Sequence, residues 1–153
     1  RGAVSVAFNC PYSGPVQPQQ AIDVAKRLLA IGCGEVSIAD TTGTATADQV
    51  AAILDAIARE LPVTSVAMHF HDTHGLAVDH VLTSYAAGIR VFDASAGGLG
   101  GCPFSPGAPG NVASESVLAA FEARGITTGI DTAAIREIGA WIRACLNDPG
   151  NAV

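Results

Sequence analysis

His69 and His71 offer the most concrete chemistry in this sequence. They stand in the stretch Met68-His69-Phe70-His71-Asp72-Thr73-His74-Gly75, behind the β-branched apolar run 63–67. That run reads as a strand entering the interior, and residues i and i+2 of a strand face the same way. Two imidazoles on one rigid face beside a carboxylate are what a divalent metal site needs. The plainer alternative is a pair of polar residues satisfied by hydrogen bonds at a strand end. Asn111 is a candidate third ligand, from a loop expected to return over the same end. An oxygen ligand favours Mg²⁺ or Mn²⁺ over structural zinc, although a mixed nitrogen and oxygen set admits other metals.

Asp40 follows an apolar strand and precedes Thr41-Thr42-Gly43, a geometry open to turn capping, to a substrate hydrogen bond, or to both. Asp72 is equally a helix cap or an orienter of a histidine. His74 and His80 read as loop and helix-surface residues. Cys102 lies among glycines, in Gly97-Gly98-Leu99-Gly100-Gly101-Cys102. Those glycines match neither GxGxxG nor the Walker pattern, so nucleotide binding is not indicated. They suit a mobile loop that folds over a substrate, where a thiol near a metal acts as general acid or base. The alternative is an inert buried thiol.

The elements that must position these residues alternate. Strands are expected at 3–8, 35–39, through the histidines, and at 89–95. Between them lie helices at 18–31, from Thr46 to Leu61, and after Gly75. Pro11 and Pro15 are expected to forbid continued pairing in the turn-rich loop that ends the first strand. The first helix has Pro18 in its opening turn and Gly32 at its stop. Thr46 with Gln49 forms a capping-box pattern ahead of Val50, Ile53, Leu54 and Ile57. Two more helices follow the glycine loop, one over 114–124 and one from an Asp131 cap through Trp141 to Cys145. Four strand-helix repeats argue for parallel strands with right-handed crossovers. Every polar cluster falls at a strand's carboxyl end, where a (β/α)₈ barrel keeps its chemistry. An open doubly wound sheet uses the same edge.

With 153 residues, 49% hydrophobic and 14% charged, the chain has enough apolar material for one domain with a sizeable core. We read residues 1–153 as a single partial barrel domain, since a complete barrel typically needs about 250 residues. No apolar run approaches the roughly 20 residues of a membrane span. A net charge of -6 with scattered basic residues gives no nucleic-acid footprint. The four cysteines, Cys10, Cys33, Cys102 and Cys145, include no CxxC pair, which points to a reducing, cytoplasm-like compartment. Cys33 and Cys145 read as small buried hydrophobes. The start at Arg1, without Met, reads as a cut, and neither a leader nor a targeting tail is visible.

Four motifs, AFNCPYSG, EVSIADTTGT, HFHDTHG and DASAGGLGGCPFSPGAPGN, together resemble the second half of the 3-hydroxy-3-methylglutaryl-CoA lyase family, in the divalent-metal TIM-barrel lyase superfamily. The resemblance spans essentially the whole chain. The GLGGCP loop with Cys102 is its specific part, whereas His69, His71 and the closing Gly-Asn are shared with acyl-transferring synthases. It implies barrel strands five to eight and cleavage of 3-hydroxy-3-methylglutaryl-CoA to acetyl-CoA and acetoacetate. It also implies that His69, His71 and Asn111 bind Mg²⁺ or Mn²⁺, that Cys102 carries protons, and that Asp40 is the strand-end aspartate near an acyl-CoA substrate. The family's Arg-Asp-Gly motif, which supplies another metal ligand and a catalytic arginine, has no counterpart in this sequence. The isolated chain is therefore expected to be inactive. Its two open strand edges, and apolar side chains facing the missing half, are expected to drive dimerisation. A mitochondrial location is the alternative if a leader belongs to the absent half.

Overall fold

The structure, a computed structural model, describes residues 1–101 and 110–147. Its frame is a sheet of four parallel strands: β1 (Gly2–Val4), β4 (Val36–Asp40), β5 (Val66–Phe70) and β6 (Val91–Asp93), paired in that order. Helices α1 (Pro18–Ala30), α2 (Ala47–Glu60) and α3 (Ala77–Ala86) form the crossovers, and α4 (Ser114–Glu122) and α5 (Thr132–Asn147) follow the last strand. This is an α/β architecture of four strand-helix units plus a carboxyl-terminal helix. No helix among the described residues is long and apolar enough to cross a membrane.

The helices form where local signals favour them. Thr46 Oγ1 accepts the Gln49 amide while Gln49 Oε1 accepts the Thr46 amide, so both orphan donors at the start of α2 are satisfied. Pro18 opens α1, and Gly32 beyond its end takes φ +102°, a conformation glycine reaches without a Cβ clash. Helix α5 starts at the expected Asp131 cap, whose Oδ1 accepts the Ala134 amide.

Alternation along the strands sorts the side chains into two layers. Val4, Ile38, Met68 and Phe70 face the helices and join Ile22, Val50, Ile53, Ile57 and Val81 in one core. Complete burial of each such aliphatic chain stabilises the fold by about 1.5–3 kcal/mol. The other face is concave: Arg1, before β1, reaches Asp93 on β6, although β4 and β5 lie between. That face carries Ala3, Ser37, Ala39, Ala67, His69 and Asp93. Val91, in register with Ala67, shares that face, so among the described residues it mixes small apolar side chains with Ser37, His69 and Asp93. The large exposed apolar side chains lie elsewhere, Ile138, Trp141 and Leu146 among them on α5. The two strand edges remain unpaired among the described residues.

Three local expectations are corrected. The first strand stops at Val4, because Val6 turns to φ +51° and gives its amide to Thr41 Oγ1 at 2.8 Å. Positive φ at a β-branched residue is a rare, strained state that ends a strand. Pro15 does pair: β2 (Asn9–Cys10) and β3 (Gly14–Pro15) form a small antiparallel hairpin, where Pro15 needs to supply no amide beyond the ladder's end. The run 63–67 opens as a single 3₁₀ turn over Val63–Ser65 before β5 begins.

Candidate metal centre

Strand β5 delivers His69 to the concave face, and the chain then leaves the ladder so that His71 can pair elsewhere. The His71 amide donates to the Asp40 carbonyl at 3.3 Å. Segment 110–112 crosses the strand end in the opposite direction, with Val112 N–H on the Phe70 carbonyl at 3.0 Å and Asp72 N–H on the Gly110 carbonyl at 3.1 Å. An isolated antiparallel bridge therefore places Asn111 against His71. The two imidazole centroids lie 5.3 Å apart, so the shared direction of His69 and His71 holds.

Two buried polar atoms at this bridge have no hydrogen-bond partner among the described residues: His71 Nδ1 and Asn111 Oδ1. Burying such an atom unpaired costs on the order of 1–3 kcal/mol, so each requires an explanation. The Asn111 amide is oriented by its other end, because Nδ2 donates to the Leu99 carbonyl at 2.9 Å. His71 is held below the ordinary histidine pKa by its burial and then by the neighbouring His69. A neutral imidazole nitrogen beside an amide oxygen is a donor set for a divalent cation, and His69 adds a second imidazole. No three His, Cys, Asp or Glu side chains converge among the described residues. A cation here therefore depends on the Asn111 amide and on ligands beyond those residues.

Close packing fixes the approach to His71. Gly43 has φ +63°, and a Cβ there would lie 2.9 Å from His71 Cβ and 2.4 Å from Thr73 Oγ1. Only glycine satisfies both the left-handed turn and that contact.

The remaining sequence candidates divide. Asp40 is 1% exposed and faces the helix side, where its carboxylate accepts the amides of Ala45 at 3.0 Å and Thr44 at 3.2 Å. Burial pushes its pKa up, and those amides pull it part of the way back. Of its two readings, turn capping is the one its contacts display. Asp72 caps α3, accepting the Ala77 amide at 3.0 Å. His74 is exposed. His80 is not on the helix surface as expected: it is 4% exposed, with Nε2 2.9 Å from the Ala45 carbonyl and its ring against Phe70. Cys33 and Cys145 are half-buried, not enclosed. Cys102 lies outside the described residues.

Sequence reading missed two sets of residues. Asp93, the cross-strand register partner of His69, accepts Ser37 Oγ–H on Oδ2 at 2.8 Å and Arg1 Nη1–H on Oδ1 at 2.5 Å. Its shared parity with His69 was the available signal. The second set grips the root of the glycine loop. Gly97 N–H donates to both oxygens of Glu115 at 2.9 and 3.0 Å, and its carbonyl accepts Arg143 Nε–H at 3.0 Å. At Gly139 a Cβ would sit 1.9 Å from Glu115 Oε1, so a glycine on α5 is what lets the helix dock. At its described root the loop is held by these contacts.

A curled parallel sheet with nitrogen and oxygen donors gathered at its strands' carboxyl ends defines a partial barrel with its polar groups at the mouth. The HMGL-like family model matches residues 2–142, and the chain belongs to that family. It is 47% identical over 146 residues to hydroxymethylglutaryl-CoA lyase of Pseudomonas mevalonii, covering 95% of this chain and 48% of that protein. It is 46% identical to the 3-hydroxy-3-isohexenylglutaryl-CoA/hydroxy-methylglutaryl-CoA lyase of Pseudomonas aeruginosa, covering 95% and 49%. The crystal structure of the HMG-CoA lyase from Brucella melitensis superimposes with a TM-score of 0.92 at 48% identity, covering 97% of this chain and 52% of that one. The chain thus spans about half the length of the relatives it matches. Its architecture is the second half of a (β/α)₈ barrel.

Proposed function

We propose that this chain is the carboxyl-terminal half of a metal-dependent carbon-carbon lyase that cleaves 3-hydroxy-3-methylglutaryl-CoA to acetyl-CoA and acetoacetate. The observation that carries the reading is the bridge between His71 and Asn111, whose Nδ1 and Oδ1 are unpartnered among the described residues, in a chain of the HMGL-like family. His69, His71 and Asn111 are the residues that would hold Mg²⁺ or Mn²⁺. The chemistry such a cation supplies when bound is polarisation of an oxygen ligand.

The chain's own contribution is to keep donors neutral, oriented and shielded. Burial of His71 disfavours its protonated form, Leu99 fixes the amide end that Asn111 presents, and the Asp40 turn seats His71 from below. In the reaction the substrate's hydroxyl loses its proton to a base, and the adjacent carbon-carbon bond breaks. The electron pair passes to the acetyl-CoA enolate, which is then protonated. Cys102 is assigned to that proton traffic and Asp40 to the substrate's surroundings. Residues 1–153 act as one partial barrel domain, and the exposed edges of β1 and β6 favour a dimer. Cys10 and Cys33 are free thiols, in keeping with a reducing, cytoplasm-like compartment.

The test is product identity. Fused to an amino-terminal half that carries an Arg-Asp-Gly strand end, the chain releases acetoacetate from 3-hydroxy-3-methylglutaryl-CoA, and Cys102→Ser lowers turnover far more than Mn²⁺ affinity. Condensation of acetyl-CoA with an oxoacid would make the protein a synthase. Cation binding without turnover in the restored barrel would make the chain a metal-binding scaffold.

A further inference from the structure

Asp93 occupies an unusual position for an acidic side chain. It lies on the concave face of the sheet, one strand from His69 and in register with it. Its Oδ2 is 3.6 Å from His69 Nδ1. The carboxylate cannot easily turn away, because Ser37 from β4 holds Oδ2 at 2.8 Å and Arg1 holds Oδ1 at 2.5 Å. Ser37 is itself 4% exposed, and Arg1 is tied on its far side to Glu35. The three contacts come from three separate strands or their approaches. Each carboxylate oxygen accepts more than one hydrogen bond, so Oδ2 retains capacity for a ring N–H after accepting Ser37.

We propose that Asp93 is a positioning residue that fixes the ring orientation and tautomer of His69, keeping the proton on Nδ1 and the lone pair on Nε2. This rests on the metal reading of His69 only for its purpose, not for its geometry. A histidine that binds a cation through one nitrogen usually donates its other N–H to a carboxylate, which raises its basicity and sets its angle. At 3.6 Å the pair has ion-pair proximity but exceeds hydrogen-bond length, and closing it takes a shift on the order of half an ångström. Ser37 and Arg1 are the supporting contacts that make Asp93 the fixed partner and the ring the adjustable one. Asp93 thus connects the base of the concave face to the donor set at its mouth.

The experiment reads His69 directly, by ¹⁵N–¹H correlation of the ring nitrogens in the metal-free chain at about pH 8, alongside Mn²⁺ titration. The wild-type ring carries its proton on Nδ1. Asp93→Ala shifts the proton toward Nε2 and weakens Mn²⁺ binding by about 10–100-fold. Asp93→Asn, whose amide oxygen still accepts a ring N–H, keeps the tautomer and loses less affinity, which separates positioning from misfolding. A wild-type proton on Nε2, or wild-type tautomer and affinity in Asp93→Ala, overturns the proposal. If the tautomer follows Asp93 while the wild type binds no Mn²⁺, the positioning stands and the metal reading fails.

Discussion

His71 and Asn111 meet across an isolated antiparallel bridge, and each buries one polar atom that has no partner among the described residues. Folding would ordinarily satisfy both atoms, and their juxtaposition supports the proposed cation site. If a divalent cation is that ligand, removing either imidazole abolishes a fixed nitrogen donor that no neighbour replaces. His69→Ala and His71→Ala should each weaken Mn²⁺ binding in calorimetry by more than the about 10–100-fold typical of losing an outer partner. Equal affinity in wild type and both variants would remove the assignment.

Gly43 should tolerate no side chain. Gly43→Ala forces a Cβ into the left-handed region, at a cost of about 1–2 kcal/mol, and also against His71 Cβ at 2.9 Å. The variant should melt lower than wild type and bind Mn²⁺ more weakly, because the displaced atom belongs to a proposed ligand. A lower melting temperature with unchanged affinity would show that His71 relaxes freely, contrary to a preset site.

The clamp on the glycine loop makes a prediction about coupling. Glu115→Ala leaves the Gly97 amide without its carboxylate and should cost about 1–3 kcal/mol in denaturant unfolding. Gly139→Ala should also destabilise, because its Cβ would overlap Glu115 Oε1. In the double variant the overlap is relieved, so the two effects should sum to less than their separate values. Strict additivity would mean that α5 and the loop root do not share this contact. Faster hydrogen exchange at the Gly97 amide in Glu115→Ala is the local counterpart.

Asp40 predicts a pH dependence of stability. Its folded pKa is raised by burial, so above the ordinary aspartate value of about 3.9 the native state binds more protons than the unfolded chain. Stability from this group is then fully present below that value and falls as pH rises through the folded pKa. Relative to Asp40→Asn, which does not titrate, the wild type should lose melting temperature across that window. Parallel melting curves for the two proteins, or a gap changing in the opposite sense, would contradict the burial argument.

How much of this was legible beforehand follows from the range of each interaction. The Thr46 and Gln49 cap, the Asp131 cap and the strand-helix alternation are local, and a window of a few residues contains their cause. The pairing of His69 with His71 needed only strand parity. Asn111 was reachable as a candidate through the expected return of its loop. The left-handed turn at Val6 was not visible, because it answers to Thr41 across the sheet mouth. Nor was the burial of His80, an apparent surface residue until the Ala45 carbonyl and Phe70 are placed beside it. Asp93 and Glu115 resemble solvated carboxylates in the sequence. Their partners Arg1, Ser37, Gly97 and Arg143 come together only through the tertiary fold.

On the reading proposed above, this half-barrel carries most of a lyase's metal site and needs a strand end from an amino-terminal half to complete it. The most direct measurement is acetoacetate release from 3-hydroxy-3-methylglutaryl-CoA with Mn²⁺ present, by the chain alone and after an amino-terminal half is supplied in trans or by fusion. No release is expected from the chain alone, release is expected on complementation, and that release is expected to be lost in His71→Ala. Turnover by the chain alone would contradict the need for the missing half, and a complemented barrel that folds, binds Mn²⁺ and releases nothing would contradict the assigned reaction.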